Sequence, residues 1–191
     1  MNTMKRLLFG LLLLVACSSE EEGTAVLPAE ADDQIRSESF GVEFVFSDSA
    51  RLTTKLFADR VVEKAEREKE DDRPETVFYF PDGVRMEFYS KRSGAVTSTI
   101  RSDYGTFWQD EGLAELKGDV VLTNRNGEKL QTEQLFWSED QDKIYTDQFV
   151  KVQTADKIIT AEKGLVSNTE FTNYEFTEVT GIFEVDPNLV E

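Results

Sequence analysis

Between residues 40 and 185 the chain alternates between apolar and polar positions in short runs, and polar turns separate these runs. Val84, Met86 and Phe88 show the alternation without interruption. A period of two places successive side chains on opposite faces of a strand, so the pattern predicts β-structure. After residue 74 no run has the period of an amphipathic helix. The sequence therefore predicts an all-β domain.

The predicted strands are bounded by turn residues at intervals of 10 to 15 positions. They cover residues 42–46, 51–62, 76–80, 84–89, 96–108, 113–124, 129–137, 143–154, 158–166 and 174–185. Pro81, Asp82 and Gly83 predict a hairpin turn, and Asn126-Gly127 predicts a two-residue hairpin turn because both residues tolerate positive φ. Residues 61–72 have helix-favouring composition without an apolar stripe, which predicts a strand end followed by a charged loop.

A weak internal repeat recurs at an offset of about 30 residues. The segment that starts at Ile100 and ends with Phe107-Trp108 lines up with the segment that starts at Leu130 and ends with Phe136-Trp137. A third copy begins at Ile159. This offset equals two strands and two turns, which is typical of stacked units that share a continuous apolar interior.

Strand parity predicts which side chains form this interior. The predicted inward set is apolar, whereas the opposite parity carries polar residues such as Lys117, Asp119, Asp147 and Lys151. The inward set comprises Leu52, Leu56, Val84, Met86, Phe88, Ile100, Tyr104, Leu116, Val120, Leu122, Ile144, Val150, Val152 and Ile159. Parity alone does not distinguish a filled core from a lined groove, and an arbitrary β-sandwich would have a filled core.

The amino terminus has the layout of a secretory signal. Lys5 and Arg6 precede an apolar run over residues 7–15, which is too short to span a bilayer as a helix. The small residue Ala16 followed by Cys17 resembles a bacterial lipoprotein box. We therefore expect a signal peptide at residues 1–16, lipidation of Cys17, a flexible lipid-anchored linker at residues 17–38 and a β-domain at residues 39–187. Attached acyl chains would hold the protein at a membrane.

The linker is rich in Ser, Glu, Ala and Asp, and its residues 20–22 are all glutamate. This acidic run fits either a sorting signal or a solvated tether.

Composition excludes several classes of function. The formal net charge is -17, so the chain is repelled by nucleic acid. Histidine is absent, and Cys17 is the only cysteine, so no intrachain disulfide forms. No calcium loop, glycine-rich phosphate loop or nucleophile elbow is present, and residues 139–142 are typical of a solvated turn. We expect no catalysis, metal or cofactor, and a function in binding, transport or scaffolding.

Four segments together resemble the LptC family, the periplasmic component of lipopolysaccharide export, in a lipoprotein-anchored form. They comprise residues 80–84 (FPDGV), 118–121 (GDVV), 127–135 (GEKLQTEQL) and 143–147 (KIYTD), and the similarity runs from about residue 40 to 185. The resemblance implies a twisted, open, antiparallel β-jellyroll, as in LptA/OstA-like proteins, whose interior carries lipopolysaccharide acyl chains. The inward set named above would then be the lipid-binding interior.

The resemblance also implies partners and a location. One edge would dock on an inner-membrane lipopolysaccharide-export ABC transporter, and the other would add a strand to an LptA-like periplasmic jellyroll, with residues 174–185 as the downstream edge. Well-known members have an N-terminal transmembrane helix, which a lipid on Cys17 would replace here. We expect a periplasmic protein anchored in the inner membrane, with the outer membrane as an alternative.

Two other functions remain open on the sequence. One is an envelope lipoprotein whose closed β-sandwich is a scaffold for protein partners. The other is a carbohydrate-binding module, in which Trp108 and Trp137 would be exposed aromatic platforms.

Overall fold

The computed structural model describes residues 35–67 and 74–184, and in these ranges all regular secondary structure is β. Fourteen strands lie at Ile35–Asp48 (β1), Arg51–Arg67 (β2), Pro74–Phe80 (β3), Val84–Tyr89 (β4), Val96–Ser102 (β5), Tyr104–Trp108 (β6), Leu113–Asn124 (β7), Lys129–Ser138 (β8), Lys143–Thr146 (β9), Val150–Gln153 (β10), Lys157–Ala161 (β11), Leu165–Asn168 (β12), Tyr174–Phe176 (β13) and Val179–Glu184 (β14). None of the described residues forms a helix long and apolar enough to cross a membrane. The predicted signal peptide, Cys17, most of the linker and residues 185–187 lie outside the described ranges.

The strands form one antiparallel sheet that is folded into two halves along a line of corners. Half A contains β4, β5, β10, β11, β14 and the parts of β1, β2, β7 and β8 that pair with them; half B contains β3, β6, β9, β12, β13 and the other parts of the same four long strands. We call the line of corners the fold line and each passage of the chain across it a rung. Four strands each cross the fold line as one continuous strand. The other ten form five consecutive pairs, and each pair crosses the fold line once, so the described ranges contain nine rungs.

The nine rungs follow one another in chain order, and each pairs antiparallel with the one before it. The turns between rungs that the structure describes lie at the opposite end of the two halves, which we call the mouth. The halves pack face to face, because Trp137 of half B contacts the rings of Phe46 and Phe88 of half A at centroid distances of 5.1 and 5.8 Å. The predicted open antiparallel jellyroll is therefore confirmed.

The prediction of a hairpin at Pro81–Gly83 is wrong. β3 pairs with β2 from Tyr79↔Val62, and β4 continues along the same strand to Phe88↔Thr54, so β3 and β4 form one bent rung instead of pairing with each other. The Pro81-Asp82-Gly83 segment is the corner of this rung. Proline and glycine have the same backbone properties at a sheet corner as at a hairpin turn, so the local sequence does not separate the two.

Four other predicted strands are each interrupted by a corner at the fold line. The predicted strands 96–108, 143–154, 158–166 and 174–185 become β5–β6, β9–β10, β11–β12 and β13–β14. In addition, β1 begins at Ile35, upstream of the predicted start of strand pattern, because it pairs with β2 up to Lys64. The expected two-residue turn at Asn126-Gly127 is instead a longer loop over residues 125–128, in which the Asn124 side chain accepts hydrogen bonds from the amides of Asn126 (2.9 Å) and Glu128 (3.1 Å).

Candidate functional site

A continuous line of apolar side chains crosses half A on its inner face, one from each rung. Cross-strand pairing joins consecutive members directly, so neighbouring side chains lie within contact distance. We call this line the central row, and its members are Phe44, Leu56, Met86, Ile100, Leu122, Leu130, Val152, Ile159 and Ile182. The three repeat copies found in the sequence start at Ile100, Leu130 and Ile159, which are alternate members of the row.

The inner face of half B faces the central row with a second apolar line. Phe78, Phe107, Ala114, Trp137 and Ile144 are successive cross-strand partners there. The rings of Phe107 and Trp137 stack at 6.3 Å. The interior between the two halves is thus apolar on both walls for most of its length.

Most of the predicted inward set lies in this interior. Eleven of its fourteen members are buried, and Leu52 and Ile159 are half-buried on the inner face. The central row is fully buried from Leu56 to Val152 and becomes accessible at the last rung, where Ile182 is 64% exposed. The interior is therefore closed along the middle of the molecule and open at the edge formed by β14.

Tyr104 is the error in the predicted set, because it lies on the outer face with 57% of its surface exposed. Ile100 and Ser102 point inward on β5, but the inward residues of β6 are Gly105 and Phe107. The corner at Asp103 therefore shifts the parity by one residue. The prediction extended the parity of β5 across this corner, where it does not hold.

The parity of inward residues also shifts by one position within β8, so the sequence pattern did not identify several residues of the interior. Leu130 and Thr132 point inward before the corner, whereas Leu135 and Trp137 do so after it. Phe107 and Trp137 are in fact equivalent, since each follows the first residue of its repeat copy by seven positions. An ungapped 30-residue offset would have found this pair. Because Trp137 is buried and Trp108 lies on the outer face, the two tryptophans do not form a common carbohydrate platform.

The outer face of half A is polar and carries its own hydrogen-bonded cluster. The Arg85 guanidinium and the Tyr89 hydroxyl both donate to the carboxylate of Glu87. The hydrogen bond from Tyr89 holds the pKa of Glu87 below its usual range. Burial, together with this carboxylate, raises the pKa of Tyr89 to about 12. A groove of about 970 Å³ beside the fold line on this face is lined by Arg85, Arg101 and several aspartates, so it does not suit an acyl chain.

The mouth brings carboxylates of the two halves together. Asp48 in half A accepts a hydrogen bond of 2.8 Å from Lys91, which lowers the pKa of Asp48, and both line a cleft with Glu139 and Asp142 of half B. Burial, and then the nearby Asp140, raise the pKa of Glu139. Among the described residues no group of three or more acidic or cysteine side chains is arranged to hold a metal ion.

The comparisons with known proteins agree with this geometry. A family model described as lipopolysaccharide-assembly, LptC-related, matches residues 7–178, which is most of the chain. A search of curated proteins found no match. The match extends over every rung up to β13, including both walls of the apolar interior. The chain therefore belongs to the LptC family of lipopolysaccharide-assembly proteins, whose members serve lipopolysaccharide transport in the cell envelope.

Proposed function

We propose that this protein is a periplasmic bridge that accepts lipopolysaccharide from an inner-membrane ABC transporter and passes it to the next jellyroll protein. The observation that carries the proposal is the central row, which presents an apolar side chain from all nine rungs and reaches the surface at Ile182. Acyl chains bind such a surface because each Å² of apolar area removed from water contributes about 25 cal/mol.

The two ends of the meander are the proposed docking edges. In the described ranges β1 pairs only with β2, and β14 pairs only with β11. Each of these strands presents unpaired main-chain groups along one side, which can bind an added strand. Both also expose apolar side chains, namely Ile35, Phe40 and Val45 on β1 and Val179, Ile182 and Phe183 on β14. We propose that β1 faces the transporter and that β14 receives an LptA-like jellyroll.

The anchor is a further part of the proposal. Lipidation of Cys17 after removal of residues 1–16 would hold the domain at the inner membrane, beside the transporter. The linker up to β1 would then span the gap between the lipid and the first rung. Family membership does not favour the alternative in which a closed sandwich only scaffolds other proteins.

A pair of adjacent residues on β14 tests the lipid path directly. Ile182 points to the inner face and Phe183 to the outer face, and the two have similar exposures of 64% and 59%. A photo-crosslinking amino acid at Ile182 is expected to capture lipopolysaccharide, whereas the same amino acid at Phe183 is not. Labelled lipopolysaccharide incubated with the purified lipoprotein and irradiated provides the measurement.

Positions further inside extend this test along the path. Crosslinkers at Ile144 and Val150 should label, and those at Asp147 and Lys151 on the outer side should not. Thermal denaturation shows that each variant is folded before irradiation. Equal labelling of the inner and outer positions, or none at either, would refute a path between the two halves.

A further inference from the structure

One loop ties the two halves together at the mouth. Residues 168–173 connect β12 to β13 in half B, and they reach across to the inner face of half A. The Ser98 hydroxyl donates to the carbonyl of Thr169, and the Asn124 side-chain amide donates to the carbonyl of Phe171 at 3.0 Å. Ser98 and Asn124 are direct cross-strand partners on β5 and β7. The loop therefore bridges strands that are far away in the sequence and lie in the opposite half.

The loop also inserts a ring into the interior. Phe171 is fully buried within the apolar core and stacks on Tyr174 at a centroid distance of 4.9 Å. Its φ is +52°, a left-handed conformation that costs a bulky residue about 1–3 kcal/mol. The burial of the ring and the bonds to half A therefore hold an unfavourable backbone conformation in place.

The loop has its own internal hydrogen bonds, so it can move as a unit. The Asn168 side-chain carbonyl accepts from the amides of Thr172 (3.0 Å) and Asn173 (3.1 Å), and the Phe171 amide donates to the main-chain carbonyl of Asn168 at 3.0 Å. These bonds lie within the loop, and departure of the loop from half A would expose them to water. Among the described residues, the hydrogen bonds that join the loop to half A are those to Ser98 and Asn124, and these would break or be replaced. The bond from Thr169 to Asp142 at 2.5 Å joins the loop to half B.

The position of the loop matters because the halves can separate at only one end. Every rung is covalently continuous across the fold line, so the interior widens only if the halves move apart at the mouth. Among the described residues, the 168–173 loop spans the mouth and forms hydrogen bonds with both halves. Ser98 and Asn124 are buried polar residues that face the interior, and the loop carbonyls give them partners.

We infer that the 168–173 loop is a latch, and that Phe171 occupies space that an acyl chain takes in the loaded protein. The inference rests on the proposed function. The latch keeps the apolar interior from water while the site is empty, and lipid entry exchanges the Phe171 ring for an acyl chain. Phe171 thereby selects for ligands whose apolar area exceeds that of the ring they displace.

The test compares lipopolysaccharide binding by Ser98→Ala with that by the wild-type lipoprotein. Removing the Ser98 hydroxyl weakens the closed state by one hydrogen bond, so fluorescently labelled lipopolysaccharide should bind about three- to tenfold more tightly. Thr132→Ala is the matched control. Thr132 is likewise a buried residue whose hydroxyl donates to a main-chain carbonyl, that of Phe149 at 2.9 Å, but it lies at the fold line. Its affinity should equal that of the wild type.

Phe171→Gly provides a second variant, because glycine tolerates the positive φ while the ring is removed. It should also bind more tightly, and thermal melting shows whether it is folded. In the wild-type protein, added lipopolysaccharide should increase amide hydrogen exchange of residues 169–173 and leave that of the fold-line corners unchanged.

Two results would overturn the latch inference, and they differ in whether the transport proposal also fails. If all variants bind lipopolysaccharide with the wild-type affinity and exchange in the loop does not change, the latch is wrong and the transport proposal stands. If no variant and no wild-type protein binds lipopolysaccharide, the transport proposal fails and the latch fails with it.

Discussion

At the scale of single residues, Glu139 is a carboxylate that folding places in an unfavourable environment. Its pKa is raised above the ordinary value of 4.5 by burial and by Asp140. A raised pKa means that the folded protein holds the proton more tightly than the unfolded chain, so stability falls as the pH rises through this range. We expect Glu139→Gln to raise the free energy of unfolding at pH 7 by a few tenths of a kcal/mol, on the order expected for a solvent-screened site.

The gain should disappear as the pH is lowered below about 4.5, where Glu139 is protonated in both states. Chemical denaturation at pH 4 and pH 7 measures the difference. Glu133→Gln, an exposed glutamate at the fold line, controls for the change in net charge. The same gain in both variants would show that overall charge, and not the environment of Glu139, is the cause.

At the scale of strands, the corner of β11–β12 depends on Gly164. This residue has a φ of +77°, and a Cβ atom there would lie 1.9 Å from the carbonyl oxygen of Thr146 on the neighbouring rung. Gly164→Ala therefore combines left-handed strain with a backbone overlap. We expect it to lower the free energy of unfolding by about 3 kcal/mol or more, measured by urea denaturation.

Gly127→Ala separates the two causes. Gly127 has a similar φ of +82°, but a Cβ atom there would meet nothing within 4 Å. This control should lose only about 1 kcal/mol, the cost of the left-handed conformation alone. If the free energy of unfolding falls by the same amount in both variants, the corner relaxes around the new methyl group. Close packing of the rungs would then not be the reason that position 164 requires glycine.

The sequence predicts the strands well because alternation is a local property. The strict pattern of Val84, Met86 and Phe88 is that of β4, and the repeat at Ile100, Leu130 and Ile159 marks alternate members of the central row. The structure of a corner, in contrast, is not determined by the local sequence alone. Whether Pro81-Asp82-Gly83 turns the chain back or bends it depends on β2, which is long enough to pair with both flanking strands.

The latch was not predictable for a related reason. Phe171 lies among polar residues in a stretch with no alternation, where a turn is the expected structure. Its burial follows from Ser98 and Asn124, which are distant in the sequence. Tyr104 shows the opposite error: an aromatic residue with the expected parity lies outside because the corner at Asp103 shifts the strand by one position.

At the scale of the whole molecule, the two edges should dock different partners. Phe183→Lys on β14 places a charge on the proposed downstream edge. A lysine on an edge strand opposes the addition of another strand. We therefore expect this variant to bind the LptA-like jellyroll at least about tenfold more weakly. Phe40→Lys on β1 should leave that binding unchanged and weaken binding to the transporter. Both side chains are exposed, so the fold is retained.

Surface-immobilised protein exposed to each purified partner provides the measurement. Thermal melting of the two variants should match that of the wild type. Should Phe40→Lys weaken binding of the jellyroll and Phe183→Lys leave it intact, the direction of the path is reversed. A loss in both assays from either variant would mean that the edges are not separate docking sites.

The meander also sets the size of the step by which such a protein can grow. Each new rung lengthens the molecule by about 4.8 Å, but it leaves the chain in the opposite half. Two rungs, or about 30 residues, return the chain to its starting half with the same inner row, as the interval from Ile100 to Leu130 does. Duplication of such a pair would therefore extend the apolar row by about 10 Å without interrupting it. Relatives with longer or shorter domains are expected to differ by whole pairs of rungs, and a change of one rung would exchange the half in which the terminal strand ends.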